Sequence, residues 1–170
     1  RAGCAVLVEL ARRLAAKPPQ FEVALCFSVG EEVGLRGATT AAYALEPDLA
    51  LVVEATVGDT PGLEAAKQPS FLGKGPAVTV SDGRIVVPWR LVDSLEEAAR
   101  AAGVAWQRKL PPYGGTDAGA IHLSRAGVPT CVVSVPTRYI HTPASVCDLG
   151  DLAATVELAA AWLERAGELL

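Results

Sequence analysis

Two runs of apolar residues, DLALVVEA at 48–55 and VPTCVVSV at 128–135, constrain this chain more than any other feature. Each is short, rich in β-branched side chains and almost free of polar interruption, the pattern of a strand buried on both faces. EVALCFSV at 22–29 and AVTV at 77–80 read as further buried strands, and VAWQRKL at 104–110 alternates as a half-exposed one. Helical patterns lie between them. In residues 3–16, Val6, Leu7, Leu10 and Leu14 share one side, and Lys17-Pro18-Pro19 ends the run. Residues 35–45 can be helical before Pro47 stops them. Pro88 suits the first turn of a helix running to about 102. Thr116 and Asp117 can cap a helix through Arg125. Asp148 can cap the last helix, with Asp151 imitating a capping box. Strands alternating with helices predict an α/β fold, a sandwich around a mainly parallel sheet. A length of 170 residues fits one domain, 1–170, without repeat, low-complexity tract or linker.

Charge and composition narrow the partners. The net charge of -4 and a pI near 5.2 provide no basic field for nucleic acid or an anionic membrane. No apolar run reaches the roughly 18 residues of a membrane span, and no secretory layout is seen at the start, so a cytoplasmic protein is expected. Cys4, Cys26, Cys131 and Cys147 are far apart, form no CxxC, and read as four reduced core thiols. Arg outnumbers Lys by 11 to 4 and neither Met nor Asn occurs, which fits a thermophile and equally a GC-rich genome. Without Met, Arg1 is not expected to be a translation start; a processed chain or a segment of something longer is expected.

The candidate chemistry gathers where loops leave the strands. Glu31 and Glu32 follow the first predicted strand, Glu54 closes the second, and His141 lies beyond the strand at 128–135. In open parallel sheets ligands bind beyond the carboxyl ends of the strands, so these residues are expected on one rim. An adjacent Glu pair is ordinarily a first-turn device that offsets a helix dipole, worth about 0.3–1 kcal/mol. Glu54 is a stronger signal, because a carboxylate at the end of LALVVE is costly to desolvate without a cation or hydrogen bonds to receive it. Of two histidines, His122 falls within a predicted helix, whereas His141 sits in the loop TRYIHTPAS. YGGTDAGA at 113–120 reads either as a close-approach loop lining a pocket or as a tight turn into a helix. No GxGxxG, phosphate loop or GxSxG elbow is present.

Taken together, EEVGLRGA, VVEATVGDTPG, GGTDAGAIHLSRAGVP and RYIHTPAS, in this order and over nearly the whole chain, resemble the M42 family of metallo-aminopeptidases. The resemblance implies a three-layer, zinc-peptidase-like fold and removal of N-terminal residues from peptides by a water activated between two divalent metals, zinc or cobalt. It implies Glu31 as general base, Glu32 and His141 as ligands of one metal, and Glu54 as a ligand of the other. Gly115, Thr116, Asp117 and Arg138 would line the substrate pocket. A dication would thus absorb the charge of one glutamate of the pair and leave its neighbour free to carry a proton. Family members assemble into dodecamers, so a homo-oligomer is expected.

One departure from the family is large. RAGCAVLVELARRL resembles the helix that follows the family's bridging aspartate, so that ligand, an upstream histidine and an inserted β-barrel domain fall outside this chain. The fold is therefore expected to be incomplete at its N-terminus, a single partial catalytic domain. At most one weakly bound ion, little or no peptidase activity and an exposed apolar surface favouring association are expected. Two other readings stand beside this one. Glu31 and Glu54 could act as the acid and base of an endoglucanase-type glycoside hydrolase, or the chain could be a non-catalytic binding or assembly module.

Overall fold

A computed structural model describes residues 1–110 and 112–170. Its elements are α1 (Ala2–Ala16), α2 (Arg36–Leu45), β1 (Ala50–Val57), β2 (Ala77–Thr79), α3 (Trp89–Ala101), β3 (Gln107–Lys109), α4 (Ala118–Ile121), β4 (Thr130–Arg138), β5 (Val146–Cys147) and α5 (Leu149–Arg165). The fold is mixed α/β with one open sheet in the order β1-β4-β2-β3, and β5 pairs with the far end of β4.

The two constraining apolar runs become neighbours. β1 and β4 pair in parallel over eight positions, Ala50 opposite Thr130 through Val57 opposite Thr137. Every β4 residue but Arg138 is buried. Side chains of the two strands are shared between two packing groups. Val6 and Leu10 of α1 meet Val135 of β4, Val156 and Ala159 of α5, and half-buried Leu51 and Val53. Val52 and Val132 belong to the larger core built with Leu91, Leu95, Leu158 and Trp162. Full burial of such side chains contributes about 1.5–3 kcal/mol each. The α1–β1 approach is close enough to demand glycine. A methyl on Gly3 would stand 2.3 Å from the Val53 carbonyl oxygen.

Several expectations from sequence are corrected. The sheet is mixed: β1–β4 and β2–β3 are parallel, whereas β2–β4 and β4–β5 are antiparallel. The antiparallel neighbours are two or three residues long, too short for periodicity to signal their direction. Residues 22–29 form no strand. Phe21, Val23 and Leu25 are half-buried while Glu22, Ala24 and Cys26 are exposed, so the period of two is present without a ladder partner. α4 ends at Ile121 instead of Arg125, because His122–Gly127 turn away and Arg125 adopts a left-handed φ of 51°. Pro88 stands just before α3 as its N-cap. Only Cys131 of the four cysteines is buried; Cys4 and Cys26 are exposed because they lie on the outward faces of α1 and the 22–28 segment. Asp148 does cap α5, its Oδ1 accepting from the amides of Gly150 and Asp151 at 2.6 and 3.2 Å. Asp151 closes no capping box. Its carboxylate accepts from the amides of Gly73 and Gly75, both at 2.7 Å.

Candidate active site

Three loops leaving the sheet and its helices meet near the middle of β1. The first contains Glu31 and Glu32 in a single 3-10 turn, Glu31–Val33, between left-handed residues Gly30 and Gly34. The chain reverses on both sides of this short turn, and glycine supplies that left-handed reversal cheaply. The second is the loop after β4, where Tyr139 and His141 adopt φ of 60° and 61°. Such conformations cost non-glycine residues of order 1–3 kcal/mol and gather at functional sites. The third runs through Gly114–Asp117 into α4.

The structure brings Glu32 and His141 together, Oε1 to Nδ1 at 3.1 Å, although 109 residues separate them. Both side chains remain largely solvent-exposed. Glu31 is half-buried, and desolvation holds its carboxyl above the usual range, with Glu32 and Asp117 adding to the rise and His141 opposing it. Adjacent in sequence, the two glutamates therefore occupy different environments. Glu32 has an imidazole partner; Glu31 faces other carboxylates.

Glu54 stands deeper. It is not the last residue of its strand, because β1 continues to Val57 and places Glu54 opposite Ser134. The Ser134 hydroxyl donates to Glu54 Oε1 at a long 3.4 Å. Burial pushes the Glu54 carboxyl up to about 8, against the pull of Lys109 and with help from Glu31 and Asp82. Lys109, 3% exposed at the end of β3, is the residue that sequence reasoning missed. The signal was present in the alternation of VAWQRKL, which sends Lys109 and Arg108 to opposite faces, but a lysine reads by default as solvated.

The residues expected around the substrate are divided. Thr116 is fully buried and turns its hydroxyl to the Ala118 amide at 3.1 Å, a role in starting α4. Gly115 lies beneath Arg84, whose Cγ would be 2.6 Å from an added methyl, so a side chain there would displace Arg84. Asp117 accepts a hydrogen bond from Ser28 through Oδ2, while its buried Oδ1 has no partner. Arg138, at the end of β4, lies over the Tyr139 ring at 5.3 Å, and its buried Nε is likewise without a partner. His122 caps α4, its Nδ1 2.7 Å from the Ala118 carbonyl, as a satisfied helix residue.

As donors for a metal, these residues fit in kind but not in number. Glu32 and His141 supply one carboxylate and one imidazole at a common point, suited to a divalent ion. Among the described residues no group of three His, Cys, Asp or Glu side chains is close enough to hold a metal, so Glu54 does not join the pair. A two-ion centre is not assembled from these side chains.

Comparison with known proteins gives this arrangement a context. The family model described as M42 glutamyl aminopeptidase matches residues 1–158. A lysyl aminopeptidase of Pyrococcus furiosus is 34% identical over 160 residues, covering 94% of this chain and 44% of its own. Aminopeptidase APDkam598 from the archaeon Desulfurococcus kamchatkensis superposes with a TM-score of 0.91 at 34% identity, covering 96% of this chain and 46% of that one. The Pyrococcus horikoshii TET1 peptidase, which can assemble into a tetrahedron or a large octahedral shell, gives a TM-score of 0.79 at 28% identity, with coverage of 95% and 46%. The chain thus spans about half the length of the relatives that it matches. A family match over nearly the whole chain, together with these likenesses in sequence and fold, establishes that the chain belongs to the M42 glutamyl aminopeptidase family.

Proposed function

We propose that this chain is the part of a metal-dependent aminopeptidase catalytic domain that carries the general base and one metal-binding pair, and that alone it turns over little or no peptide. The observation that supports this reading most directly is the contact between Glu32 and His141, with Glu31 beside it in a raised, partly desolvated state. In this reading the fold is the three-layer, zinc-peptidase-like sandwich, and its helices cover the sheet on both sides.

A divalent ion held by Glu32 and His141, zinc or cobalt by the family resemblance, would supply Lewis acidity to a peptide carbonyl. The chain's own residues do the rest. Glu31 takes a proton from the attacking water and returns it to the leaving amine, a task favoured by a carboxyl pKa raised toward the working pH. Glu54, neutral below about pH 8, adds no negative charge beside the Glu31 carboxylate that accepts the proton. Arg138, Gly115 and Asp117 border the space a substrate would occupy, and buried Thr116 holds the start of α4. Removal of N-terminal residues is proposed because the relatives at 34% identity are described as aminopeptidases. By the same likeness the whole protein is proposed to form a homo-oligomer.

The decisive assay offers the chain aminoacyl p-nitroanilides and a β-glucan, each with zinc, cobalt or a chelator. The reading expects negligible turnover of both, with any trace of peptide release dependent on metal and abolished by Glu31→Gln. A β-glucanase activity that persists in chelator would overturn it in favour of a carboxylate-pair glycosidase. Robust peptide release by the chain with chelator present would overturn it as well.

A further inference from the structure

Glu31 and Glu32 stand on a turn that supplies little of its own anchorage. Glu31–Val33 has no side-chain cap and no buried residue, and its flanking residues, Gly30 and Gly34, are the most permissive in backbone conformation. The direction in which the two carboxylates point is therefore set by the chain on either side.

Both sides rest on one element. Before the turn, the Ser28 hydroxyl donates to Asp117 Oδ2. After it, Leu35 packs on Gly119, where an added methyl would stand 3.4 Å from Leu35 Cδ1. Asp117 is the N-cap of α4 and Gly119 lies in its first turn. The two glutamates are thus bracketed by contacts with the same short helix. Gly37 closes the bracket, its amide donating to the Val29 carbonyl at 2.8 Å. A methyl there would stand 2.4 Å from the Val29 nitrogen.

Asp117 is used in an unusual way. An N-cap Asp ordinarily accepts from the second or third amide of its helix, and Asp117 makes no such bond. The Thr116 hydroxyl accepts from the Ala118 amide instead, at 3.1 Å, which leaves the Asp117 carboxylate to Ser28. The start of α4 is itself held from the loop after β2. Asp82 Oδ1 accepts from the amides of Arg84 and Ile85 at 2.7 and 3.0 Å. The Gly83 amide donates to the Gly114 carbonyl at 2.7 Å. Arg84 lies against Gly115 and Gly119, and a methyl on either would stand 2.6 Å from its side chain.

We propose that Ser28 and Asp117 are positioning residues, whose bond fixes the Glu31–Glu32 turn on α4 so that Glu32 meets His141. Neither needs to touch a metal; both act through Glu32. The consequence for metal binding rests on the reading of Glu32 and His141 as a metal pair, whereas the consequence for the turn does not.

Ser28→Ala removes the donor without changing the charge of the site. The amides of Gly34 and Leu35 both donate to the Glu31 carbonyl, at 3.1 and 3.0 Å. In the intact, metal-free chain their hydrogen exchange should quicken about tenfold or more in this variant, while the amides of β4 keep their wild-type rates. Zinc titrated calorimetrically should bind about tenfold or more weakly, the usual result of removing an outer partner of a metal ligand. Asp117→Ala should have at least as large an effect, and the double variant should fall no further than Asp117→Ala alone, because the two residues act through one bond. Ser28→Thr keeps the hydroxyl and should restore both readouts. Unchanged exchange at Gly34 and Leu35, zinc affinity that stays constant while that exchange quickens, or additive effects in the double variant would overturn the proposal. So would equal quickening of the β4 amides, since the bond would then support the fold at large. A wild-type chain that takes up no zinc would contradict the metal reading alone, and the exchange at Gly34 and Leu35 would then decide this proposal.

Discussion

Glu54 shows how one residue couples the fold to the site. Its carboxyl is desolvated by burial and receives only a single long hydrogen bond and the opposing pull of Lys109, so the neutral form is favoured up to about pH 8. The usual value is 4.5, and an acid whose folded pKa is raised holds its proton after the unfolded chain has lost it. Stability therefore falls as pH rises from about 4.5 to about 8, at most about 1.4 kcal/mol per pH unit. In denaturant melts of the metal-free chain, the midpoint is expected to fall over that window, and Glu54→Gln is expected to flatten the fall and raise stability at pH 8. A wild-type curve that is flat between pH 5 and 8 would count against this account. The sequence marked Glu54 as costly but placed it at a strand end. The alternation of VAWQRKL set Lys109 apart from Arg108 but did not name its neighbour, because strand register decides which buried acids a basic side chain approaches. The contact of Glu32 with His141 joins loops 109 residues apart, and local periodicity contains no information at that range.

Among the elements, α5 illustrates a start signal that was legible and a second role that was not. Asp148 caps the helix as expected, and Asp148→Ala should cost about 1 kcal/mol. Asp151, 2% exposed, instead ties the helix to the Gly73–Gly75 loop through two backbone amides. Asp151→Ala leaves those donors buried without an acceptor and should cost more, about 2–3 kcal/mol or above. Chemical denaturation of the two variants should preserve that order; an Asp148→Ala penalty larger than that of Asp151→Ala would contradict it. Gly75 itself has φ +82° and lies against the Ala105 carbonyl, where a methyl would stand at 1.9 Å. The 22–28 segment shows the opposite limit. Its alternation is that of a strand, but a strand is a property of two segments, and sequence periodicity describes only one.

On the scale of the molecule, the α/β class and the β1–β4 pair followed from two apolar runs, although only β4 is buried along nearly its whole length and β1 ends the described sheet. What sequence left open was direction and closure: the short antiparallel neighbours of β4, and the bare outer edge of β1. Among the described residues no helix is long and apolar enough to cross a membrane. The large exposed apolar side chains include Val29, Tyr43, Leu123 and Leu149. A single pair of donors, Glu32 and His141, is proposed to provide the metal chemistry of this chain. Calorimetric titration of the chain with zinc tests it most directly, repeated on Glu32→Gln and His141→Ala. The account predicts at most one ion, weakly held and lost in both variants; two tightly bound ions, or binding that ignores both substitutions, would contradict it.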